Sequence, residues 1–338
     1  MQNFQCLACG QAAYLRNDWC TRCQAPLGFS PQRWAFLPLP DAQAAGERPC
    51  AHRATGLCNW LVAATDTHPH CLSCRTTECL PALGLTEVNQ AVYQLELAKR
   101  RLLLNLRELG LPVWPGETRQ PLRFAFLQDQ PDQPRVMTGH AQGLITINIK
   151  EADPRRRLDE QLAMGEAQRT VLGHLRHESG HFYWDEWLAD ESPWQQRFRE
   201  LFGDERADYA QALAQHHATP RAWDPLQPAG AISRYAQAHP WEDWAETWAH
   251  YLLMLDALSE PGAHDHALDA LPQPLAGDMV RRTELPDLLD AWLSRARHGN
   301  ALNRALGLTD AYPFVIDEGV RDKLAFVHEL VRDRALAR

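Results

Sequence analysis

All nine cysteines of this 338-residue chain fall between Cys6 and Cys79, and no other feature restricts the fold as much. An exported chain would use them as a disulfide framework, but the N-terminus MQNFQCLACG lacks the basic-then-apolar pattern of a signal peptide. Reduced thiols at short spacing in a large chain point to metal instead. Cys6 and Cys9, then Cys20 and Cys23, form two CxxC pairs with ten residues between them. Each pair offers two thiolates from a tight turn, and two such knuckles close a tetrahedron around zinc, the spacing of a zinc ribbon. Redox CxxC motifs come singly, at a helix start after a strand, so structural zinc is the stronger reading. A second set, Cys50, Cys58, Cys71 and Cys74, again counts four thiolates at looser spacing, with His52, His68 or His70 able to replace a member. Cys79 is left over and reads as a partly buried small apolar residue rather than a regulatory thiol able to reach a metal. Four-thiolate sites have no open position, so both sets are read as structural zinc, holding modules too small to be held by core burial.

The remaining chain reads as one larger body. TEVNQAVYQLELAKRRLLLNLRELG, Thr86 to Gly110, has apolar residues at helical spacing and ends at glycine, which predicts a long amphipathic helix joining the modules to the main domain. Arg123 to Asp129 and Gly143 to Lys150 have the β-branched and aromatic character of strands, and beyond Glu151 nearly everything looks helical. The net charge of −9 and isoelectric point near 5.9 argue against a protein whose main task is gripping phosphate backbones. No run of about 18 uncharged apolar residues is present to span a membrane, so a cytoplasmic location is expected.

Val171 to Trp187, VLGHLRHESGHFYWDEW, holds three histidines. On a helix His177 and His181 stand one turn apart and can present two imidazole nitrogens to one metal, with Glu178 beside it as a base: the pattern HExxH. Val171, Leu175 and Phe182 follow the core spacing, and Glu178 falls on the same stripe. A carboxylate on an inward face is costly unless it is paired or working. His174 reads as a neighbour of the site rather than a ligand. A catalytic metal needs a third protein ligand and a free position. The segment SRYAQAHPWEDWAETWAHYLL, Ser233 to Leu253, offers one. Pro240 suits a first helical turn, and Trp241, Trp244, Ala245, Trp248, Leu252 and Leu255 form the expected buried stripe. Glu242 and Glu246 share another face, one turn apart, so one carboxylate could reach the metal and the other the outer N–H of a ligating histidine. On spacing alone Glu242, Asp243, Glu246, His239 and His250 all compete.

HESGH, followed by SRYAQAHPWEDWAETWAHYL and preceded by GHAQGLITINIKEAD and the cysteine modules, closely resembles the bacterial zinc-binding metallopeptidase family that carries an N-terminal zinc ribbon. More distantly, the order of Tyr235, Glu242 and Glu246 is similar to that in the catalytic domain of anthrax lethal factor, a gluzincin-type endopeptidase. The resemblance implies that His177, His181 and Glu242 hold a catalytic zinc, with Glu178 as general base and Glu246 supporting a ligand. It also implies that Tyr235 places a hydroxyl near the metal, and that GLITINIK is the edge strand along which an extended substrate pairs. The lethal-factor pattern has no counterpart of the cysteine modules and differs in the insertion between Trp187 and Ser233, so cleft specificity does not transfer.

The resulting expectation is an α+β chain. Residues 1–80 form the zinc-ribbon region, with four-cysteine modules at about 1–30 and 48–80. Residues 81–112 form a connecting helix, and residues 113–338 a zincin-like metallopeptidase domain, a small mixed sheet with active-site helices and a largely helical C-terminal part. The expected cofactors are one catalytic and two structural zinc ions, and the expected activity is peptide-bond hydrolysis by a zinc-bound water activated by Glu178, with a protein or peptide substrate and neither a membrane nor a nucleic-acid partner. The cysteine region either recruits substrate or inhibits the site. Two alternatives stay open: a DNA-associated protein-repair protease, and a non-catalytic zinc-binding scaffold. The tryptophan-rich runs are read mostly as core packing, and FVIDEGVRDKLAFVHELV as a packing helix.

Overall fold

The computed structural model describes residues 4–114, 116–154, 170–218, 230–259 and 276–335. The first sixty-odd residues fold into three small antiparallel hairpins. These are β1 (Phe4–Gln5) with β2 (Ala12–Ala13), β3 (Leu27–Ser30) with β4 (Ala35–Pro38), and β5 (Glu47–Pro49) with β6 (Leu61–Ala63). A short helix α1 (Leu39–Ala44) follows β4 and α2 (Leu72–Arg75) follows β6. Phe4, Phe29, Phe36 and Trp60 pack with cysteines of both sets in one core, which Leu104 joins from a distant helix. Asn59 Nδ2 donates to the carbonyls of Leu15 and Asn17, which ties the two cysteine sets to each other.

That distant helix, α3 (Thr86–Glu108), is more than a connector. Val92, Leu95, Leu102, Leu103 and Leu106 enter the main core, while Leu104 enters the cysteine core. Five of its polar residues, Glu96, Lys99, Arg100, Asn105 and Glu108, are buried too, which its sequence pattern did not suggest. Lys99 Nζ donates to the Ser73 carbonyl at 2.9 Å and to Glu96 at 3.0 Å, and Arg100 Nη1 to the Leu57 carbonyl at 2.7 Å. A buried cation is tolerable only when paired and hydrogen-bonded; Glu96 of the same helix supplies the charge, and the cysteine region supplies the Ser73 and Leu57 carbonyls.

A four-stranded sheet lies against α3 in the order β7 (Thr77–Cys79), β8 (Arg123–Leu127), β10 (Leu144–Asn148), β9 (Gly139–Ala141). β7, β8 and β10 are parallel, and β9 returns antiparallel. β7 belongs to the cysteine region and reaches β8 across α3, so the main-domain sheet contains a strand from before residue 80. β8 and β10 are the strands read from sequence, and Phe124, Phe126, Ile145 and Ile147 bury one layer between sheet and helices. β10, however, is paired on both sides, so GLITINIK is not the edge strand. The edge is Gly139–Ala141. Gln142 at φ 49° and Gly143 at φ 76° close a two-residue hairpin turn that needs positive φ at both positions.

The helices after the sheet supply the other layer. α4 (Val171–Trp187) starts at Thr170, whose side chain accepts from the Gly173 amide, and packs along α7 (Pro240–Leu258). The contact is close because Gly180 has no Cβ: one placed there would lie 3.0 Å from the Ala245 Cα. Trp244 Nε1 donates to the Gly180 carbonyl and Trp248 Nε1 to the Ser179 hydroxyl, which satisfies two indoles inside the core. Between these helices lie α5 (Pro193–Phe202) and α6 (Tyr209–Ala218). α8 (Ala276–Arg282), α9 (Leu285–Ala305) and α10 (Glu318–Arg334) follow. α10 buries Val320, Leu324, Phe326, Val327, Leu330 and Val331, the packing helix expected at the C-terminal end. Among the described residues no helix is long and apolar enough to cross a membrane.

Candidate metal centre

The packing of α4 on α7 brings three donor side chains together. His177 Nε2 and His181 Nε2 are 3.2 Å apart, and Glu242 Oε2 lies 3.0 Å from the first and 3.6 Å from the second. All three residues are buried. Two imidazoles with facing nitrogens and a desolvated carboxylate, all within 4.8 Å, make a two-histidine, one-glutamate donor set that could hold a metal ion, with the donor types zinc takes. The arrangement fits the metal: two neutral imidazoles aimed at one point repel unless a cation or a shared proton lies between them. The electrostatics agree with this geometry. Burial opposes charge on Glu242 and His177, but their mutual hydrogen bonds hold Glu242 well below the usual carboxylate range and His177 well above the usual imidazole range.

The surrounding residues orient the donors. Glu246 Oε1 lies 2.8 Å from His177 Nδ1, and Ser233 Oγ donates to Glu246 Oε2 at 2.6 Å. His181 instead packs its ring at a tilt against Trp241, with centroids 3.9 Å apart. Trp241 is therefore not simply part of the buried stripe, since it is half-buried and lines the cavity beside the donors. Of the other α7 competitors, His239 caps the helix by accepting from the Trp241 amide. Asp243 is paired with Lys323 at 2.5 Å, and His250 Nδ1 lies 2.9 Å from the Tyr312 hydroxyl.

Glu178 is buried beside the donors. One oxygen, Oε1, lies 3.2 Å from His174 Nε2, and the other, Oε2, is buried with no hydrogen-bond partner among the described residues. His174 is 2.5 Å from Glu151 Oε2 through Nδ1, so its ring bridges two carboxylates. Burial alone would depress His174, but Glu151 and Glu178 push it up to about 10. The histidine read as a neighbour is thus a clamp on Glu178. Glu151, at the 3-10 turn Ile149–Ala152 after β10, carries no sequence signal of this task.

Tyr235 lies on a short 3-10 turn, with its ring 5.9 Å from that of His177. A second tyrosine that spacing did not suggest, Tyr209 of α6, donates its hydroxyl to Glu242 Oε1 at 2.6 Å. Both line a cavity of about 960 Å³ that runs from the β9 edge past the donors. No described residue before Arg101 lines this cavity, so the described part of the cysteine region does not cover it.

The cysteine sets assemble as grouped by spacing. The sulfurs of Cys6, Cys9, Cys20 and Cys23 lie within 4.8 Å of one another, as do those of Cys50, Cys58, Cys71 and Cys74. His52, His68 and His70 stay outside; the His52 and His70 rings stack on each other at 4.1 Å. Cys79 departs from its reading as partly buried: it is exposed on β7 and lies off the cavity lining. Its strand is at the edge of the sheet opposite β9.

Comparison with known proteins agrees with this geometry. Residues 88–330 match the family described as "Putative zinc-binding metallo-peptidase", and residues 3–85 match a zinc-ribbon domain. The chain belongs to that zinc-binding metallopeptidase family. It is 38% identical over 346 residues to an uncharacterized protein of Mycobacterium bovis, covering 99% of this chain and 96% of the relative. An uncharacterized protein of Mycobacterium tuberculosis matches with the same identity and coverage. No solved structure matches the chain.

Proposed function

We propose that the chain is a zinc-dependent endopeptidase with a zincin-like catalytic arrangement. The observation that carries this reading is Glu178, a buried carboxylate with one oxygen clamped by His174 and the other without a described partner, beside the donor set of His177, His181 and Glu242. A closed structural metal site has no use for such a group. His177, His181 and Glu242 would hold the zinc. When bound, the metal supplies Lewis-acid polarisation of a carbonyl and acidifies water toward neutrality. Glu178 Oε2 takes the proton of the attacking water and delivers it to the leaving nitrogen. His174 holds Glu178 in place during both transfers. Tyr235 donates to the oxyanion of the tetrahedral intermediate, a role that contributes about 3 to 4 kcal/mol in comparable sites.

An extended protein segment is the substrate this cleft suits. Among the described residues β9 ends the sheet at the cavity wall, and main-chain hydrogen bonds along such an edge can hold a peptide whatever its side chains. In this reading the two cysteine sets each hold a structural zinc, for a total of three ions per chain. The test is metal content and hydrolysis of an unstructured protein such as casein, compared between wild type and Glu178→Gln. The variant keeps three zinc ions and loses hydrolysis. Hydrolysis at the wild-type rate would remove Glu178 from the mechanism.

A further inference from the structure

Helix α6 lies beside the cavity without a core of its own. None of its residues is buried, yet Tyr209, Leu213 and His217, spaced one turn apart along one face, all line the cavity. Packing among the described residues therefore does little to hold this helix where it is. Several of its described contacts are with the site: the His216 ring stands 6.2 Å from that of Tyr235, and the Tyr209 ring stands edge-on to His239 at 5.2 Å and to Trp241 at 5.9 Å. The closest contact with a metal donor is the 2.6 Å hydrogen bond from the Tyr209 hydroxyl to Glu242 Oε1. Glu242 Oε2 is the oxygen directed at the two imidazoles.

The two carboxylate oxygens thus have separate tasks. Oε2 faces the metal position, and Oε1 is taken by a phenol. A glutamate on the first turn of a helix has three rotatable side-chain bonds, and burial alone does not choose which oxygen points inward. A short bond from a hydroxyl to a carboxylate is charge-assisted and strongly directional. A phenol keeps its proton at neutral pH, so the hydroxyl donates and the carboxylate accepts.

We propose that Tyr209 is a positioning residue of the metal centre: its hydroxyl presents Glu242 to the metal through one oxygen, and the same bond latches α6 along the cavity. The inference rests on the reading that His177, His181 and Glu242 hold zinc. It assigns a task to the segment between Trp187 and Ser233, which carries none of the metal donors.

The test uses the full chain with zinc loaded. The affinity of the catalytic site is read by chelator competition in wild type, Tyr209→Phe and Leu213→Ala. Cobalt(II) replaces zinc in the same proteins for visible absorption, and amide exchange is followed over residues 209–218. Tyr209→Phe should keep the wild-type circular dichroism and both cysteine-bound ions. It should bind the third ion about 10- to 100-fold more weakly, as is usual when a partner of a metal ligand is removed. Its cobalt bands should shift and its α6 amides exchange faster. Leu213→Ala, which keeps the hydroxyl, should bind the third ion within about two-fold of wild type. Third-site affinity in Tyr209→Phe equal to wild type, or an equal loss in Leu213→Ala, overturns the inference while the metal centre stands. A wild-type chain that binds only two ions overturns the metal centre and this inference together.

Discussion

Glu246 Oε1 lies 2.8 Å from His177 Nδ1, on the ring nitrogen opposite the one that faces Glu242. A carboxylate in this position fixes the imidazole tautomer, so that Nε2 carries a lone pair toward the metal and the ring cannot rotate away. Ser233 holds the far oxygen of Glu246 in turn. Replacing Glu246 with Gln keeps a hydrogen bond but removes the charge. The third zinc should bind about 10-fold more weakly, and Glu246→Ala should lose closer to 100-fold. Chelator competition measures both, and equal affinities for all three proteins would remove Glu246 from the support of His177.

Gly180 sets the distance between the two donor helices. A Cβ at this position meets the Ala245 Cα at 3.0 Å and Trp248 side-chain atoms at 3.1 and 3.3 Å. Backbone and an indole cannot yield as a flexible side chain would. Gly180→Val should therefore push α4 from α7 at a cost of about 1 to 3 kcal/mol, and separate Glu242 from His177 and His181. Zinc content should fall from three ions to two, with the cysteine-bound pair retained. A variant with three ions and wild-type stability would show that the helices tolerate a wider spacing.

His250 is buried in α7 and its Nδ1 is 2.9 Å from the Tyr312 hydroxyl. Burial pushes it down to about 4, more than the nearby Glu246 raises it. The folded chain thus holds His250 neutral, while the unfolded chain protonates it near pH 6.5. Between these values the unfolded state binds more protons, so stability falls as pH drops from about 6.5 toward 4, by up to roughly 3 kcal/mol from this residue. His250→Gln cannot titrate, and its stability should fall less steeply over that window. Urea unfolding at pH 7 and pH 5 gives the comparison, and parallel losses in both proteins would assign the acid sensitivity elsewhere.

Cys74 precedes β7 closely and belongs to the second cysteine set. Cys74→Ser should lose one zinc ion. Because β7 pairs with β8, the damage should pass beyond the cysteine region. The expected result is destabilisation by several kcal/mol, as is usual when a structural zinc is lost, with slower hydrolysis although no catalytic group has changed. Scanning calorimetry with zinc analysis checks this. Loss of the ion with an unchanged main transition would mean that the sheet holds without its neighbour.

Much of the metal centre is local in sequence and legible for that reason. The CxxC pairs lie within single turns, and His177, Glu178 and His181 are fixed relative to one another by helix geometry alone. Glu242 is one of five candidates until resemblance singles it out, because the α4 to α7 contact depends on Gly180 and two tryptophans rather than on any spacing. Tyr209, Glu151 and Ser233 carry no pattern, since each acts on a partner brought near only by tertiary packing. The misplaced edge strand has a similar origin. Gly139–Ala141 is too short, and too poor in β-branched residues, to read as a strand, and its hairpin turn at Gln142 and Gly143 looks like a boundary. Lys99 and Arg100 look like the solvent face of α3 because their acceptors, the Ser73 and Leu57 carbonyls, leave no trace in side-chain chemistry.

β7 also bears on how the chain is made. The cysteine region leaves the ribosome before the sheet it joins, and its second cysteine set can gather before any residue of β8 exists. Once closed, it presents Thr77–Cys79 beside α3 as a ready template, and β8 has only to add to it. With zinc in that set, as proposed, zinc supply during synthesis would govern how much of the chain reaches the folded state. Separate expression of residues 113–338 would give a chain without this template, in which β8 has lost its β7 neighbour.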